Sequence, residues 1–231
     1  MKKELSQLIA TAKNEIDVLL KEYGKTILLF SGGKDSLVIY DLCKNQDNIT
    51  AMWVNTGSLL PHMRKFIQRY DVVEVTSDKA RQNKEYGIPV SLWDGQIQTP
   101  KLQDWRVCCG SNRTQPKNDY IKKSGVKLVI HGQRELDEIP IGKKRKNSDG
   151  VLHYSPIWAW QDNDVYEYLK LNNIELPEQY DYIDSSFECW DCTAIDKDHE
   201  RFNLRYNYLK KRYPNLAERL RKKLTIAASG I

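Results

Sequence analysis

The sequence contains no apolar run long enough for a membrane span. Of its 231 residues 29% are charged, and no stretch approaches the roughly 20 consecutive apolar residues that a bilayer requires. The first residues, Met1-Lys2-Lys3-Glu4, lead into a charged amphipathic pattern and not into the apolar core of a secretory signal. We therefore expect a cytoplasmic protein without a membrane partner.

Internal repeats, low-complexity linkers and metal-spaced histidines are also missing. The four histidines stand far apart along the chain, and we assign none of them a catalytic or ligand role. One domain over residues 1–231 is the simplest organisation, with a core at about 24–195 and carboxy-terminal helices at about 196–225. A chain of this length buries a sizeable core without the help of disulfides.

Basic residues are unevenly distributed, although the net charge is only +5. One basic run covers residues 143–146, and a second group lies at 210–223. Such clusters favour a polyanionic partner, such as a nucleotide, a nucleic acid or an acidic protein surface. The alternative is that they are solvated faces of loops and helices.

Short apolar runs alternate with helical patterns over the first two thirds of the chain. Strands are predicted at Thr26–Phe30, Ile49–Val54, Val72–Val75 and Lys127–Ile130. This alternation is typical of parallel βαβ units and predicts an α/β fold with a doubly wound, mostly parallel sheet. A helical carboxy-terminal extension should follow, and residues 77–104 and 138–150 are predicted to be loops.

A glycine-rich segment, residues 31–36, joins the first predicted strand to a helix. Its two glycines let the backbone approach an anion closely, and the helix directs its free N–H groups at the same point. Ser31, Ser36 and Lys34 add donors, and Asp35 suits Mg²⁺ or a loop-ordering role. We predict a phosphate-binding loop; a Gly-Gly turn that only caps the helix is the alternative.

The five cysteines form two pairs and one single residue. Cys108 and Cys109 are adjacent, Cys189 and Cys192 form a C-x-x-C, and Cys43 lies in an apolar helical pattern that predicts a core position. Adjacent cysteines are awkward ligands for one tetrahedral zinc ion, whereas an iron–sulfur cube offers separate corners. A cluster, a zinc ion, and buried or disulfide-bonded cysteines all stay open as interpretations.

These motifs together resemble the phosphoadenosine phosphosulfate reductase family of the ATP pyrophosphatase (PP-loop) superfamily. The glycine segment matches that family's S-G-G-x-D-S loop, and further matching segments follow in family order at residues 53–57, 131–135, 156–166 and 188–193. The sequence departs from the pattern at Asn55, where an Asp is usual, at Glu188, which replaces a glycine, and at Asp137-Glu138, near an expected Glu-Ser. The resemblance implies an adenine nucleotide alpha hydrolase-like fold.

The resemblance also implies roles for individual residues. Those expected to contact the adenine nucleotide are Ser31, Gly32, Gly33, Asp35, Ser36, Asn55, Thr56 and Gly57. The first five should hold its phosphate or sulfate end, and the turn at 55–57 should lie near adenosine. Arg134 should bind a further anionic group, because its fork matches phosphate geometry, unless it forms a surface salt bridge. The predicted catalytic residues are Lys34, Asp35 and Arg134.

The paired cysteines are similar to those of the iron–sulfur adenylylsulfate reductases of the same family. This similarity implies a [4Fe-4S] cluster held by Cys108, Cys109, Cys189 and Cys192. Family reductases carry their nucleophilic cysteine in a carboxy-terminal E-C-G-L-H-like pattern, and no cysteine follows Cys192 here. Serine is far too weak a nucleophile for the substrate sulfur. We therefore do not expect ordinary reductase activity.

The wider superfamily implies a different reaction. Its members bind ATP with Mg²⁺, transfer AMP to an acceptor oxygen and release pyrophosphate, and several then replace that oxygen with sulfur. We expect ATP-dependent adenylation coupled to iron–sulfur-assisted sulfur transfer. The alternatives are an adenylylsulfate or phosphoadenylylsulfate reductase with its thiol supplied in trans, and a non-catalytic nucleotide- or redox-sensing module. The partners expected are a nucleic acid, an acidic or thiol-supplying protein, and a second copy of the chain.

Overall fold

The computed structural model describes residues 3–90, 102–137, 141–183, 189–192 and 199–228. Its helices are α1 (Lys3–Tyr23), α2 (Lys34–Cys43), α3 (Pro61–Ile67), α4 (Lys79–Tyr86), α5 (Trp105–Cys109), α6 (Gln115–Ser124), α7 (Asp162–Leu171), α8 (His199–Arg212) and α9 (Pro214–Ala228). Its strands are β1 (Thr26–Leu29), β2 (Ile49–Asn55), β3 (Val73–Thr76), β4 (Ile88–Val90), β5 (Leu102–Asp104), β6 (Leu128–Ile130), β7 (Lys144–Lys146) and β8 (Leu152–Tyr154). A π-helical turn, Gly110–Thr114, joins α5 to α6, and a 3₁₀ helix covers Glu178–Asp181.

Six of the described strands form one sheet in the order β3-β2-β1-β6-β8-β7. β1 pairs in parallel with β2 and β6, and β6 pairs in parallel with β8, whereas β7 runs antiparallel at the edge. The central strands are continuously apolar and buried, as in β6, because helices cover both faces of a parallel sheet. The predicted α/β fold with a doubly wound, mostly parallel sheet is confirmed.

Two regions predicted to be loops contain regular structure. Within 138–150, Lys144–Lys146 form the edge strand β7, which an apolar pattern cannot reveal because all three side chains are exposed. Within 77–104, α4 is polar almost all round and therefore lacks a helical periodicity. The available signals were Asp78, which accepts the Arg81 N–H at 2.9 Å as a helix cap, and Gly87 after the last turn. β4 and β5 pair in parallel as a separate two-stranded sheet.

The chain divides into two compact units. The first, which we call the loop unit, comprises residues 1–53, 65–74 and 120–177 and contains the glycine segment. The second, the cysteine unit, comprises residues 54–64, 75–119 and 178–231 and contains both cysteine pairs. The single domain expected over residues 1–231 stays a prediction.

Some residues named in the sequence motifs lie outside the described ranges, namely Glu138, Glu188, Thr193 and the stretch 91–101 of the predicted loop. Within the described ranges, no helix has both the length and the apolar character that a membrane span demands.

Candidate functional site

The glycine segment follows β1 at the point where the strand order of the sheet reverses. β1 has β2 on one side and β6 on the other. In doubly wound sheets ligands bind beyond the carboxyl ends of the strands at such a switch point. Residues 31–36 follow the carboxyl end of β1, and residues 131–134 follow that of β6. The sheet topology therefore brings Arg134 to the glycine loop.

The glycine loop is ordered by its own serines. Gly32 has a φ of +75°, in the left-handed region that favours glycine. The Ser36 hydroxyl donates to the Gly33 carbonyl at 2.9 Å and accepts the Ser31 N–H at 3.2 Å, and Ser31 Oγ accepts the Gly33 N–H at 3.3 Å. Gly33 is the N-cap of α2 and has no side chain to accept the first N–H groups of the helix. Those groups and the helix dipole suit an anion.

Two cations and two carboxylates meet beside this loop. Arg134 places Nη2 2.8 Å from Asp162 Oδ1 and Nε 2.9 Å from Asp35 Oδ1. The second contact is an ion pair without the alignment of a hydrogen bond. Lys34 Nζ lies 3.1 Å from Asp35 Oδ2 and 3.4 Å from Asp162 Oδ1. Arg134 is only 4% exposed, so the interpretation of this residue as a surface salt bridge is wrong.

The pKa values of the two carboxyl groups are shifted in opposite directions. Burial raises the pKa of Asp35 above its ordinary value of 3.8, despite the opposing charges of Lys34 and Arg134. Burial acts in the same sense on Asp162, but the hydrogen bond and charge of Arg134, with Lys34, lower its pKa below that value. The difference follows from exposure, since the Asp162 side chain is 54% exposed and that of Asp35 is 26% exposed.

Sequence reasoning did not identify two residues of this site. Asp162 begins α7, where an acidic residue in the first turn is ordinarily explained by the helix dipole alone. Gly132 packs against the loop so closely that a Cβ there would lie 3.0 Å from the Asp35 carbonyl carbon and 3.1 Å from its oxygen. Both occur in segments that resemble the family pattern, and that position was the available signal.

The cysteine pairs lie together in the cysteine unit. Cys108 and Cys109 end α5 immediately before the π-helical turn, a feature frequent at functional sites. Cys189 and Cys192 close a tight turn in which the Cys192 N–H donates to the Cys189 carbonyl at 3.3 Å. All five cysteines are free thiols. Burial raises the pKa of Cys108 to about 11, with contributions from Cys109, Cys189 and Cys192, so the four sulfurs lie within electrostatic reach.

The spacing of these thiols bears on which metal they suit. In the described part of the chain, no three His, Cys, Asp or Glu side chains surround one point as the ligands of a single ion do. With zinc–sulfur bonds of about 2.3 Å, tetrahedral thiolates would lie about 3.8 Å apart. An iron–sulfur cube binds its thiolate ligands at separate corners, so these ligands lie farther apart than those of a single ion. The all-thiol donor set is compatible with a cluster.

Buried and half-buried cations surround the C-x-x-C turn. Lys79 Nζ lies 2.6 Å from Asp191 Oδ1, and Lys223 Nζ lies 2.5 Å from Asp191 Oδ2. Burial acts to raise the pKa of Asp191, but these two lysines lower it to about 2. Arg205 Nη2 donates to the carbonyls of Cys189 and Cys192, both at 3.1 Å. Helices α4, α8 and α9 thus hold the turn through charged side chains.

Arg219, Lys223 and Arg212 belong to the carboxy-terminal basic group that the sequence assigns to a polyanion or to solvent. Arg219 instead stacks over the Trp190 ring, with Cζ 4.9 Å from the ring centroid. Lys223 binds Asp191, and Arg212 binds Glu178 at 2.9 Å. Much of this group therefore has partners within the cysteine unit.

The predicted adenosine turn, residues 55–57, belongs to the cysteine unit. Its Gly57 N–H donates to Asn55 Oδ1 at 2.8 Å, and Thr56 Oγ1 lies 3.4 Å from Cys189 Sγ. The turn therefore contacts the C-x-x-C residues, and its contact with a nucleotide stays a prediction. Cys43 is 3% exposed, and burial raises its pKa to about 12, which confirms its core position.

Comparison with known sequences decides the family. The sequence model of the phosphoadenosine phosphosulfate reductase domain matches residues 25–195. The chain belongs to this family. An uncharacterised protein of Methanocaldococcus jannaschii is 27% identical over 201 residues, which cover 81% of this chain but only 44% of that protein, so the chain spans less than half of that relative. An adenosine 5′-phosphosulfate reductase of Neisseria meningitidis is 24% identical over 209 residues, 82% of this chain and 79% of the relative.

A solved structure of another family member has the same fold. The phosphoadenylyl-sulfate reductase of Candida auris, determined as a phosphate complex, matches with a TM-score of 0.58. The match covers 78% of this chain and 92% of that one, at 17% sequence identity. A likeness at this identity establishes the shared fold alone, because one fold hosts many functions.

Proposed function

We propose that this family member binds ATP on its glycine loop, adenylates an acceptor oxygen and then replaces that oxygen with sulfur. The observation that carries the proposal is the pairing of Asp35 and Asp162 with Lys34 and Arg134 beside the loop. Carboxylates repel a bare sulfate or phosphate. A Mg²⁺–polyphosphate makes use of both signs of charge, because carboxylates bind the metal and cations bind the phosphates.

In adenylation, the acceptor oxygen bonds to the α-phosphorus while the bond from that phosphorus to the bridging oxygen breaks, and pyrophosphate leaves with the electron pair. Lys34 and Arg134 neutralise the charge that builds on pyrophosphate. Arg134 is suited to this role because Asp162 and the Trp160 carbonyl, at 2.8 and 3.4 Å, hold its guanidinium in place. Asp35 and Asp162 would hold Mg²⁺, which supplies further charge neutralisation when bound.

In the second half of the reaction, a sulfide-level donor attacks the activated carbon and AMP leaves. We infer that Cys108, Cys109, Cys189 and Cys192 hold a [4Fe-4S] cluster. With all four irons ligated by thiolates, it would supply an anionic, redox-capable centre when bound and not an open site for sulfur. The all-thiol donor set and the surrounding cations support this inference, because such a cluster with four thiolates is anionic. The chain's own contribution is to fix the C-x-x-C turn through Arg205.

Reduction of a sulfonucleotide is the second candidate, favoured by the adenosine 5′-phosphosulfate reductase named among the relatives. That reaction needs a thiolate to attack the substrate sulfur. Four of the five cysteines are assigned to the cluster, and Cys43 is buried with a pKa of about 12. A reductase built on this chain would therefore take its thiol from outside residues 1–231.

The acceptor is proposed to be a polyanion, such as a nucleic acid. The edge strand β7 presents Lys144, Arg145 and Lys146, all exposed, on the loop unit. An exposed basic strand provides electrostatic affinity for phosphates without sequence readout. The carboxy-terminal cations are weaker candidates, because several of them are paired within the cysteine unit.

The test uses anaerobically purified protein of known iron content with Mg²⁺. One reaction contains ATP, bulk RNA as a polyanionic acceptor and sulfide, and separate reactions contain adenylylsulfate or phosphoadenylylsulfate with a thiol reductant. AMP, pyrophosphate and sulfite are measured. The matched variants are Asp35→Asn and Asp47→Asn, since Asp47 is exposed and lies outside the proposed site.

AMP and pyrophosphate from ATP, lost in Asp35→Asn and kept in Asp47→Asn, would support adenylation. Sulfite from either sulfonucleotide would overturn adenylation in favour of the reductase. Binding of ATP without turnover of any of the three nucleotides would favour the nucleotide-sensing module.

A further inference from the structure

Three charged side chains at the C-x-x-C turn carry an excess of positive charge. Lys79, from α4, and Lys223, from α9, bind the two oxygens of Asp191, at 2.6 and 2.5 Å. The side chains of Lys79 and Asp191 are 3% and 9% exposed, and that of Lys223 is 29% exposed. Two cations share one carboxylate, so the group has a net charge of +1.

Such an excess is expensive unless a further anion lies nearby. An uncompensated charge in a protein interior is strongly destabilising, even after the surrounding structure relaxes. Cys189 and Cys192 flank Asp191 in the same turn. Thiolates at these positions would supply the missing negative charge, whereas neutral thiols would not.

We propose that Lys79, Asp191 and Lys223 form a charge-setting triad that positions the C-x-x-C turn and stabilises the electron-rich state of an anionic metal centre bound there. The inference rests on the cluster in the proposed function. The three residues are positioning residues, since Asp191 lies between the two cysteines in sequence and the lysines reach it from separate helices.

The triad predicts the direction in which the reduction potential changes in each variant, which a purely structural role does not predict. Adding an electron makes the centre more negative, so a neighbouring positive charge raises its reduction potential. Removing Lys79 or Lys223 should therefore shift the midpoint potential to more negative values. Asp191→Asn raises the net charge of the triad and should shift the potential in the opposite direction.

The experiment compares Lys79→Met, Lys223→Met and Asp191→Asn as full-length, anaerobically purified proteins. Iron and acid-labile sulfide are measured first, and the midpoint potential is then obtained from a redox titration followed by electron paramagnetic resonance. Lys79→Arg should keep the wild-type potential. The matched controls are Lys84→Met, an exposed residue of α4, and Lys222→Met, whose side chain is 68% exposed beside Lys223.

Opposite shifts for the lysine and aspartate variants, absent from both controls, would support the triad. Shifts of the same sign, or none beyond the controls, would overturn it and leave the cluster in place. If Lys79→Met or Asp191→Asn does not fold, Lys223→Met decides alone, because its side chain is the most exposed of the three: a negative shift supports the triad and an unchanged potential overturns it.

The same preparation separates this inference from the proposed function. Wild-type protein without iron would overturn both the cluster and the triad. Opposite shifts together with no AMP or pyrophosphate from ATP would overturn adenylation while supporting the triad.

Discussion

The glycine-loop site and the cysteine site handle charge in different ways. At the loop, Lys34 and Arg134 face Asp35 and Asp162, so two cations are balanced by two carboxylates within the chain. At the cysteines, within the part of the chain that the structure describes, two lysines share one carboxylate, Asp191. A site that binds and releases its ligand must balance its own charges when it is empty, because an unbalanced buried charge destabilises the protein. A site for a resident anion can leave that compensation to the bound group.

The largest expected effect concerns the proposed cluster. Cys189→Ser should lower the iron content per protein by at least about tenfold, because a serine hydroxyl does not replace a thiolate ligand. Cys43→Ser, at a buried cysteine outside the pairs, should retain the iron. Iron and sulfide analysis after anaerobic reconstitution measures both. Full iron in Cys189→Ser would contradict the difference drawn between the two sites.

Arg134→Met should break the balance at the loop. The buried Asp35 carboxylate would then have less positive charge beside it. We therefore expect the free energy of unfolding to fall by about 3 kcal/mol. Arg69→Met is the matched control, since Arg69 and Glu175 form an exposed pair with side chains 61% and 78% exposed. That variant should cost less than about 1 kcal/mol. Equal losses for the two variants in urea denaturation would show that the loop cluster is no more than a surface pair.

Asp191 at the cysteine site and Asp35 at the loop site should make the stability of the protein depend on pH in opposite ways. The pKa of Asp191 is lowered from 3.8 to about 2. Its contribution, about 2 kcal/mol, is therefore present above pH 3.8 and is lost as the pH falls towards 2. The pKa of Asp35 is raised, so its contribution is present below pH 3.8 and is lost as the pH rises through its folded-state pKa.

Two variants, Asp191→Asn and Asp35→Asn, test the directions of these pKa shifts by urea unfolding between pH 2 and 7. Asp191→Asn should be less stable than wild type at neutral pH, with a difference that shrinks in acid. Asp35→Asn should gain stability relative to wild type as the pH rises. If the stabilities of both variants relative to wild type changed with pH in the same direction, the assigned directions of the two pKa shifts would be wrong.

The smallest expected effect concerns the fit of the loop. Gly132→Ala places a methyl group 3.0 Å from the Asp35 backbone and should force the loop to shift. We expect Mg²⁺–ATP to bind about fivefold more weakly, which corresponds to about 1 kcal/mol. Gly110→Ala is the control, because no heavy atom lies within 4 Å of its added Cβ. Titration calorimetry should find unchanged ATP affinity in the control, and an unchanged affinity in Gly132→Ala would mean that the loop tolerates displacement.

The parts of the sites that sequence could predict are local. Residues 31–36 form the loop as one contiguous segment, and the C-x-x-C brings two cysteines together by their spacing alone. Strands β1, β2 and β6 of the central sheet were predictable because burial on both faces requires continuous apolar runs, whereas the three-residue strand β8 was not predicted. Strand β7 and helix α4 were not, because neither buries an apolar stripe that a periodicity can reveal.

The amino-acid sequence by itself determined the fold class, the family and the residues of the glycine loop and cysteine pairs, because each depends on short-range pattern. Only the tertiary structure decided the charge balance of the two sites. Lys79 and Asp191 are 112 positions apart, and Asp191 and Lys223 are 32 apart. Arg134 and Asp162 are 28 apart and meet only because β6 and β8 are neighbours in the sheet. Long-range ion pairs leave no periodic signal in a sequence, since any exposed lysine or aspartate has the same local pattern as a buried one.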